Sequence, residues 1–208
     1  MCIRDSPLLI YEKKLPGFLN LLYKGYDDAK FDHTTGKITG ELNGKVLVHH
    51  DRRLELFFKA VKKCVVEYID AFAIDKSTFD VNFVKTWFTI CDPNQTLPCH
   101  YHSCSHISWV YYIQTPGDPI VFHKKNSNEW FGDAFKFSNH YTYTNMEGYA
   151  INPKAERLVI FPGSLEHYTT AEPRKHRRIS LAGDVILTLK DRTNSESGLL
   201  SPQFWKHF

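Results

Sequence analysis

The stretch that decides the fold is Ile107-Ser108-Trp109-Val110-Tyr111-Tyr112-Ile113, followed by Pro116-Gly117-Asp118 and then Pro119-Ile120-Val121-Phe122. β-Branched and aromatic side chains fit the pleated, half-buried surface of a sheet, and Pro-Gly-Asp supplies the turn between two strands. Working outward, the same chemistry recurs. Residues 81–90 read VNFVKTWFTI, Arg157-Leu158-Val159-Ile160-Phe161 stops at Pro162-Gly163, and 179–189 read ISLAGDVILTL. Each run predicts a strand bounded by turn residues.

Before residue 78 the period changes. Leu54, Phe57, Phe58, Val61, Val65, Tyr68, Ile69 and Phe72 recur at steps of three and four, and Arg52, Arg53, Lys59, Lys62 and Lys63 occupy the opposite face. That spacing predicts an amphipathic helix of about five to six turns, with Asp51 as its N-cap and an apolar stripe that covers a sheet. Residues 7–50 are broken by Pro16-Gly17, Gly25, Gly36, Gly40 and Gly44, with a short strand expected at Lys45-Val46-Leu47-Val48. Residues 123–150 show no period. Their Trp130, Tyr141, Tyr143 and Tyr149 suit either a water-excluding lid or packing in extra strands. A helix followed by many short strands predicts an α+β, mainly β protein with an antiparallel sandwich or barrel core.

Composition narrows the function. The 208 residues are 42% hydrophobic and 24% charged, enough for one sizeable core, and 14% aromatic, which favours a β-rich interior. Lys+Arg 26 against Asp+Glu 23 leaves a net charge of +3, which gives no electrostatic case for a nucleic-acid or membrane-surface protein. No apolar run approaches the roughly 18–20 residues of a membrane span. Met1-Cys2-Ile3-Arg4-Asp5-Ser6 does not resemble a signal peptide and reads as a non-native leader. The rest, 7–208, is expected to be one domain: a support region over 7–80, a core over 81–190 and a tail over 191–208. Five cysteines without a secretory signal predict reduced thiols and a cytoplasmic setting, or a host cytoplasm if the source is viral.

The main chemical clue lies in the 11 histidines. In Cys99-His100-Tyr101-His102-Ser103-Cys104-Ser105-His106, residues 100 and 102 of an extended segment point to one side, about 7 Å apart, and can both aim at one ion. His167, after the 157–161 strand and its turn, fits a third ligand. Three ligands on one face leave positions open, the arrangement that non-haem Fe(II) needs to bind O2 and a co-substrate. His106 is assigned to the rim, and His123 and His140 to the surface or lid.

The set formed by His100-Tyr101-His102, the 107–113 strand, Leu158-Val159-Ile160-Phe161-Pro162, His167 and Arg178-Ile179-Ser180 resembles the 2-oxoglutarate/Fe(II)-dependent oxygenase superfamily, and within it an oxygenase family of phages and marine bacteria. The resemblance spans roughly 87–184. It implies a double-stranded β-helix (jelly-roll) with the metal in its mouth; the amphipathic helix read from the periodicity is expected to pack on that core. It further implies Fe(II), 2-oxoglutarate and O2, allows ascorbate, and makes the chain a dioxygenase that hydroxylates a small molecule or a protein side chain and releases succinate and CO2. His100, His102 and His167 then map to the metal, Arg178 to the distal carboxylate of 2-oxoglutarate and Ser180 to its supporting hydroxyl.

Residue chemistry supports that mapping in part. A guanidinium recognises a carboxylate with paired hydrogen bonds, and Ser180 shares the face of Arg178 by the period of two. Arg177 points the other way. Ser108, Val110 and Tyr112 form one face of their strand, taken as interior, with Tyr112 either a donor to the co-substrate or core packing. One departure stands out. The superfamily's second ligand is Asp or Glu, whereas this chain has His102. Three neutral imidazoles leave a divalent ion at +2 instead of +1, unless water or another carboxylate takes that place. Two other readings of the same residues stay open: a structural zinc site built from Cys99, His100, His102 and Cys104, and a cupin-like protein using a similar barrel with another metal.

Overall fold

The computed structural model describes residues 2–3, 10–27, 47–93, 95–123, 148–170, 176–190 and 201–206. In chain order these give β1 (Cys2–Ile3), β2 (Tyr11–Lys14), α1 (Leu19–Asp27), α2 (Glu55–Asp70), β3 (Phe79–Cys91), β4 (Ile107–Gln114), β5 (Ile120–His123), β6 (Gly148–Ile151), β7 (Arg157–Pro162), β8 (His167–Thr169) and β9 (Arg178–Leu189). The strands form two antiparallel sheets, a six-stranded one ordered β1-β2-β7-β4-β9-β3 and a three-stranded one ordered β6-β5-β8. The chain is therefore mainly β with few helices, consistent with a jelly-roll. Among the described residues, no helix is long and apolar enough to cross a membrane.

The strands expected over 81–90, 107–113, 157–161 and 179–189 all form, and the longest ladder pairs β3 with β9 from Phe79↔Leu189 to Cys91↔Arg178, with a bulge between Phe83 and Lys85. β5 starts at Ile120 rather than Pro119, as a residue without an N–H stays outside the ladder. The strand expected at Lys45-Val46-Leu47-Val48 is a correction. Leu47 makes one parallel bridge to Thr86, and Val48–His50 turn as a 3-10 helix; Lys45 and Val46 lie outside the described residues. The reason is local. Thr86 Oγ1 accepts the His49 backbone N–H at 2.8 Å and lies 2.9 Å from its Nδ1, so a side chain takes the donor that a ladder would use.

The helix is also shorter than the periodicity implied. Asp51 does cap, accepting from the Arg53 backbone N–H, but the turn it caps is a 3-10 turn over Arg52–Leu54, and α2 proper runs from Glu55 to Asp70. Phe72 falls beyond it and is 38% exposed. Within α2, Phe57, Phe58, Val61, Val65, Tyr68 and Ile69 are buried as the period requires, with Cys64 among them. The Phe57 ring lies 6.1 Å from Trp109 and 5.1 Å from Tyr111, edge to face, in one cluster with Leu158, Ile160 and Leu181. Burial of each such side chain contributes about 1.5–3 kcal/mol. A second cluster, Tyr112, Ile120, Phe122, Ile151, Val159 and Phe161, fills the space on the other side of the large sheet.

Candidate metal centre

β3, β4 and β9 lie side by side, and each sends alternate residues into one cavity of ≈ 190 Å³. β3 contributes Lys85, Trp87 and Thr89, β4 contributes Val110 and Tyr112 with Trp109 also at the lining, and β9 contributes Arg178, Ser180, Ala182 and Asp184. The period of two read from the sequence thus places Arg178, Ser180 and Tyr112 around a common space. Tyr112 and Ser180 are direct cross-strand partners.

His100, His102 and His167 come together at that cavity, with one ring nitrogen from each within 4.8 Å of the others. Backbone pairing holds two of them face to face: His100 N–H donates to His167 C=O at 3.0 Å and His167 N–H to His100 C=O at 2.9 Å. His167 therefore begins a strand of its own, β8, rather than merely following one. His102 is fixed by its N–H donating to Gly163 C=O at 2.8 Å. Gly163 permits that approach, because a Cβ there would meet the Ser105 carbonyl oxygen at 2.4 Å.

Each imidazole has an oxygen at its Nδ1. The Pro98 carbonyl lies 2.8 Å from His100 Nδ1, the Leu165 carbonyl 2.9 Å from His167 Nδ1, and Asp184 Oδ1 2.5 Å from His102 Nδ1. A carbonyl only accepts, so the Nδ1 facing it carries the proton and the Nε2 lone pair is left for an ion. Burial, with the neighbouring His100 imidazole, pushes His167 down to about 3, which keeps its ring neutral at pH 7. The donor set fits a divalent transition metal that tolerates imidazole.

At another part of the cavity, Arg178 is 2% exposed. Its Nη2 donates to Thr169 Oγ1 at 3.0 Å and to Cys91 Sγ at 3.1 Å, while Nη1 is buried with no partner among the described residues. Among the described residues no carboxylate pairs with this guanidinium. A buried charge with an idle donor is costly unless an anion completes it. Arg177, by contrast, turns outward to Asp92 at 3.2 Å. Tyr112 is buried, and that burial raises its pKa, so it remains a protonated phenol able to donate.

The remaining expectations sort plainly. Cys99 and Cys104, considered as zinc ligands, are exposed and take no part in the histidine group, and Cys91 serves Arg178 instead. His106 Nδ1 accepts the Leu187 backbone N–H at 2.9 Å, and His123 is exposed. Tyr149 lies in β6, packed on the second cluster, while His140 and the other lid candidates, Trp130, Tyr141 and Tyr143, lie outside the described residues. The residue that sequence reading missed is Asp184. Its signal was available: it continues the alternation Arg178, Ser180, Ala182 along β9.

Residues 85–184 match the family model described as "Putative 2OG-Fe(II) oxygenase". Over that region the chain is similar to the 2-oxoglutarate/Fe(II)-dependent oxygenases, a class of oxidoreductases. The fold is similar to that of a prolyl-4-hydroxylase from Pseudomonas putida, with a TM-score of 0.52 at 14% identity over 86% of this chain and 92% of that one. A viral collagen prolyl hydroxylase from Paramecium Bursaria Chlorella virus-1, in its 2OG complex, aligns at TM-score 0.46 and 14% identity over 84% and 95%. An oxidoreductase of the 2OG-Fe(II) oxygenase family from Burkholderia pseudomallei aligns at 0.42 and 10% over 57% and 48%, so this chain spans about half of that protein's length. No curated protein matches the chain.

Proposed function

We propose that this chain is an Fe(II)- and 2-oxoglutarate-dependent dioxygenase of the hydroxylase type, oxidising a small molecule or a protein side chain and releasing succinate and CO2. The observation that carries the reading is the presence, in one cavity, of three imidazoles with their Nδ1 atoms engaged and a buried guanidinium nitrogen without a partner. When bound, Fe(II) supplies the activation of O2 that couples decarboxylation of 2-oxoglutarate to oxidation of the substrate.

The chain's own residues do the rest. His100, His102 and His167 hold the ion through Nε2. Arg178 Nη1 donates to the distal carboxylate, and Nη2, already tied to Thr169 and Cys91, keeps the guanidinium plane from turning. Tyr112 donates its O–H to the co-substrate and Ser180 supports it from the facing strand. Trp87, Val110 and Phe161 line the cavity with apolar surface that limits water. We read 7–208 as one such domain and place it in the cytoplasm, where the thiols of Cys64, Cys91, Cys99 and Cys104 stay free.

The test is anaerobic titration with Fe(II) and 2-oxoglutarate, followed by succinate release on admitting O2. The parent should bind both and form succinate. His167→Ala should lose Fe(II) binding and turnover while keeping the parent's circular dichroism. A parent without Fe(II)-dependent 2-oxoglutarate binding, or a His167→Ala variant that binds Fe(II) equally well, would overturn the proposal.

A further inference from the structure

His102 stands where the resemblance expects a carboxylate, and a carboxylate is present one step further out. Asp184 is buried on β9, and its Oδ1 lies 2.5 Å from His102 Nδ1 and accepts the Ser108 hydroxyl at 2.8 Å. Ser105 Oγ sits 2.9 Å from that hydroxyl and steadies it. The other two imidazoles rest on neutral carbonyls, so the support of His102 differs in charge as well as in kind.

We propose that Asp184 is a positioning residue that returns to the centre, through the His102 ring, the negative charge that a directly ligating carboxylate would have supplied. This rests on the reading of His100, His102 and His167 as metal ligands. A carboxylate accepting from Nδ1–H fixes the ring's orientation and makes Nε2 a stronger donor. The charge-assisted bond is also roughly twice as strong as its neutral counterpart. Counted as one unit, a divalent ion, three imidazoles and Asp184 carry +1, the charge of an ion held by two imidazoles and one carboxylate. The substitution of His for an acidic ligand is thereby offset within this chain, by a residue six positions past Arg178 on the same face of β9.

The experiment is Co(II) binding to the full chain without 2-oxoglutarate, read by equilibrium titration and by the visible ligand-field spectrum at saturation. Asp184→Asn keeps the shape and removes the charge. It should bind Co(II) about 10–100-fold more weakly than the parent and show a shifted spectrum even when saturated, which a purely structural role would not produce. Combining His102→Asp with Asp184→Asn should recover most of the lost affinity, because the charge then sits on the ligand itself. Ser108→Ala should weaken binding in the same direction by less, and serves if Asp184→Asn fails to fold. Parent-like affinity and spectrum in Asp184→Asn, or in Ser108→Ala where that variant stands in, with binding abolished in His167→Ala, would overturn this inference and leave the three-histidine reading intact. Parent-like Co(II) binding in His167→Ala would overturn that reading itself. A double variant as weak as Asp184→Asn alone would overturn the charge argument.

Discussion

Trp109, Tyr111 and Ile113 join the cluster that packs against α2, Trp109 also touching the cavity lining, while Val110 and Tyr112 line the cavity and Ser108 bonds Asp184 beside it, and all but Val110 are buried. On the first side the neighbours are aromatic and aliphatic: Phe57, Phe58, Leu158 and Leu181. On the second they include Asp184, Arg178 and His102. Similar burial therefore carries different chemistry. The α2 side is stabilised by shape and apolar area, with the neutral donors Tyr68 Oη and Trp109 Nε1 left without a partner among the described residues. The cavity side satisfies its polar groups pair by pair and leaves one nitrogen of Arg178 idle. An idle neutral donor among packed rings costs the fold little, whereas an idle nitrogen on a buried cation that lines a cavity suits an anion.

The comparison can be broken most forcefully at Phe57. Phe57→Ala should cost about 3–5 kcal/mol of unfolding free energy in urea titration, yet the folded variant should bind 2-oxoglutarate as the parent does. A comparable loss of affinity would show that the two sides are not separable. Arg178→Ala should do the reverse. It should weaken 2-oxoglutarate binding by about 2–5 kcal/mol, while the metal-free protein keeps or gains thermal stability, since an incompletely compensated buried charge has been removed. A large drop in Tm with unchanged affinity would make Arg178 structural.

The smallest effect belongs to the edge of the apolar side, where Glu67 on α2 accepts from Lys13 Nζ and Tyr11 Oη, both at 2.7 Å. The Lys13 hydrogen bond, followed by that from Tyr11, holds the Glu67 carboxyl below its ordinary value of 4.5. A lowered folded-state pKa means the contribution is present above 4.5 and fades as pH falls through the folded-state value. Solvent reaches both side chains, so Glu67→Gln should lose no more than about 1 kcal/mol at pH 7. The gap between variant and parent should close on acidification, and a gap that widened would reverse the assigned sign.

Much of this was legible beforehand, for identifiable reasons. The strands at 107–113, 157–161 and 179–189 announce themselves because buried strands need β-branched and aromatic residues whatever lies across from them. Arg178, Ser180 and Tyr112 could be placed around one space because alternation along a strand is a property of the backbone alone. His100 and His102 share a side for the same reason. Other features depended on partners far away in the chain. Val48 left its expected strand because Thr86, 38 residues on, offers a hydroxyl to the turn at His49. The helix lost its last turn because the buried stripe ends at Ile69, where the Ala71 and Phe72 N–H groups bond back to Tyr68 and Ile69 and the chain turns to a φ of 56° at Ala73.

The amino-acid order by itself determined which segments become strands, where α2 turns its apolar stripe, and which side chains offer imidazole and guanidinium chemistry to the cavity. Those are consequences of local periodicity and residue type. Tertiary structure alone decided that His100 and His167 exchange backbone hydrogen bonds, that Arg178 keeps a nitrogen unpartnered, and that Asp184 stands behind His102. Such facts depend on distances between residues tens of positions apart, which only the pairing of β4 with β9 and the approach of the 100–106 loop to Gly163 bring within a few ångströms.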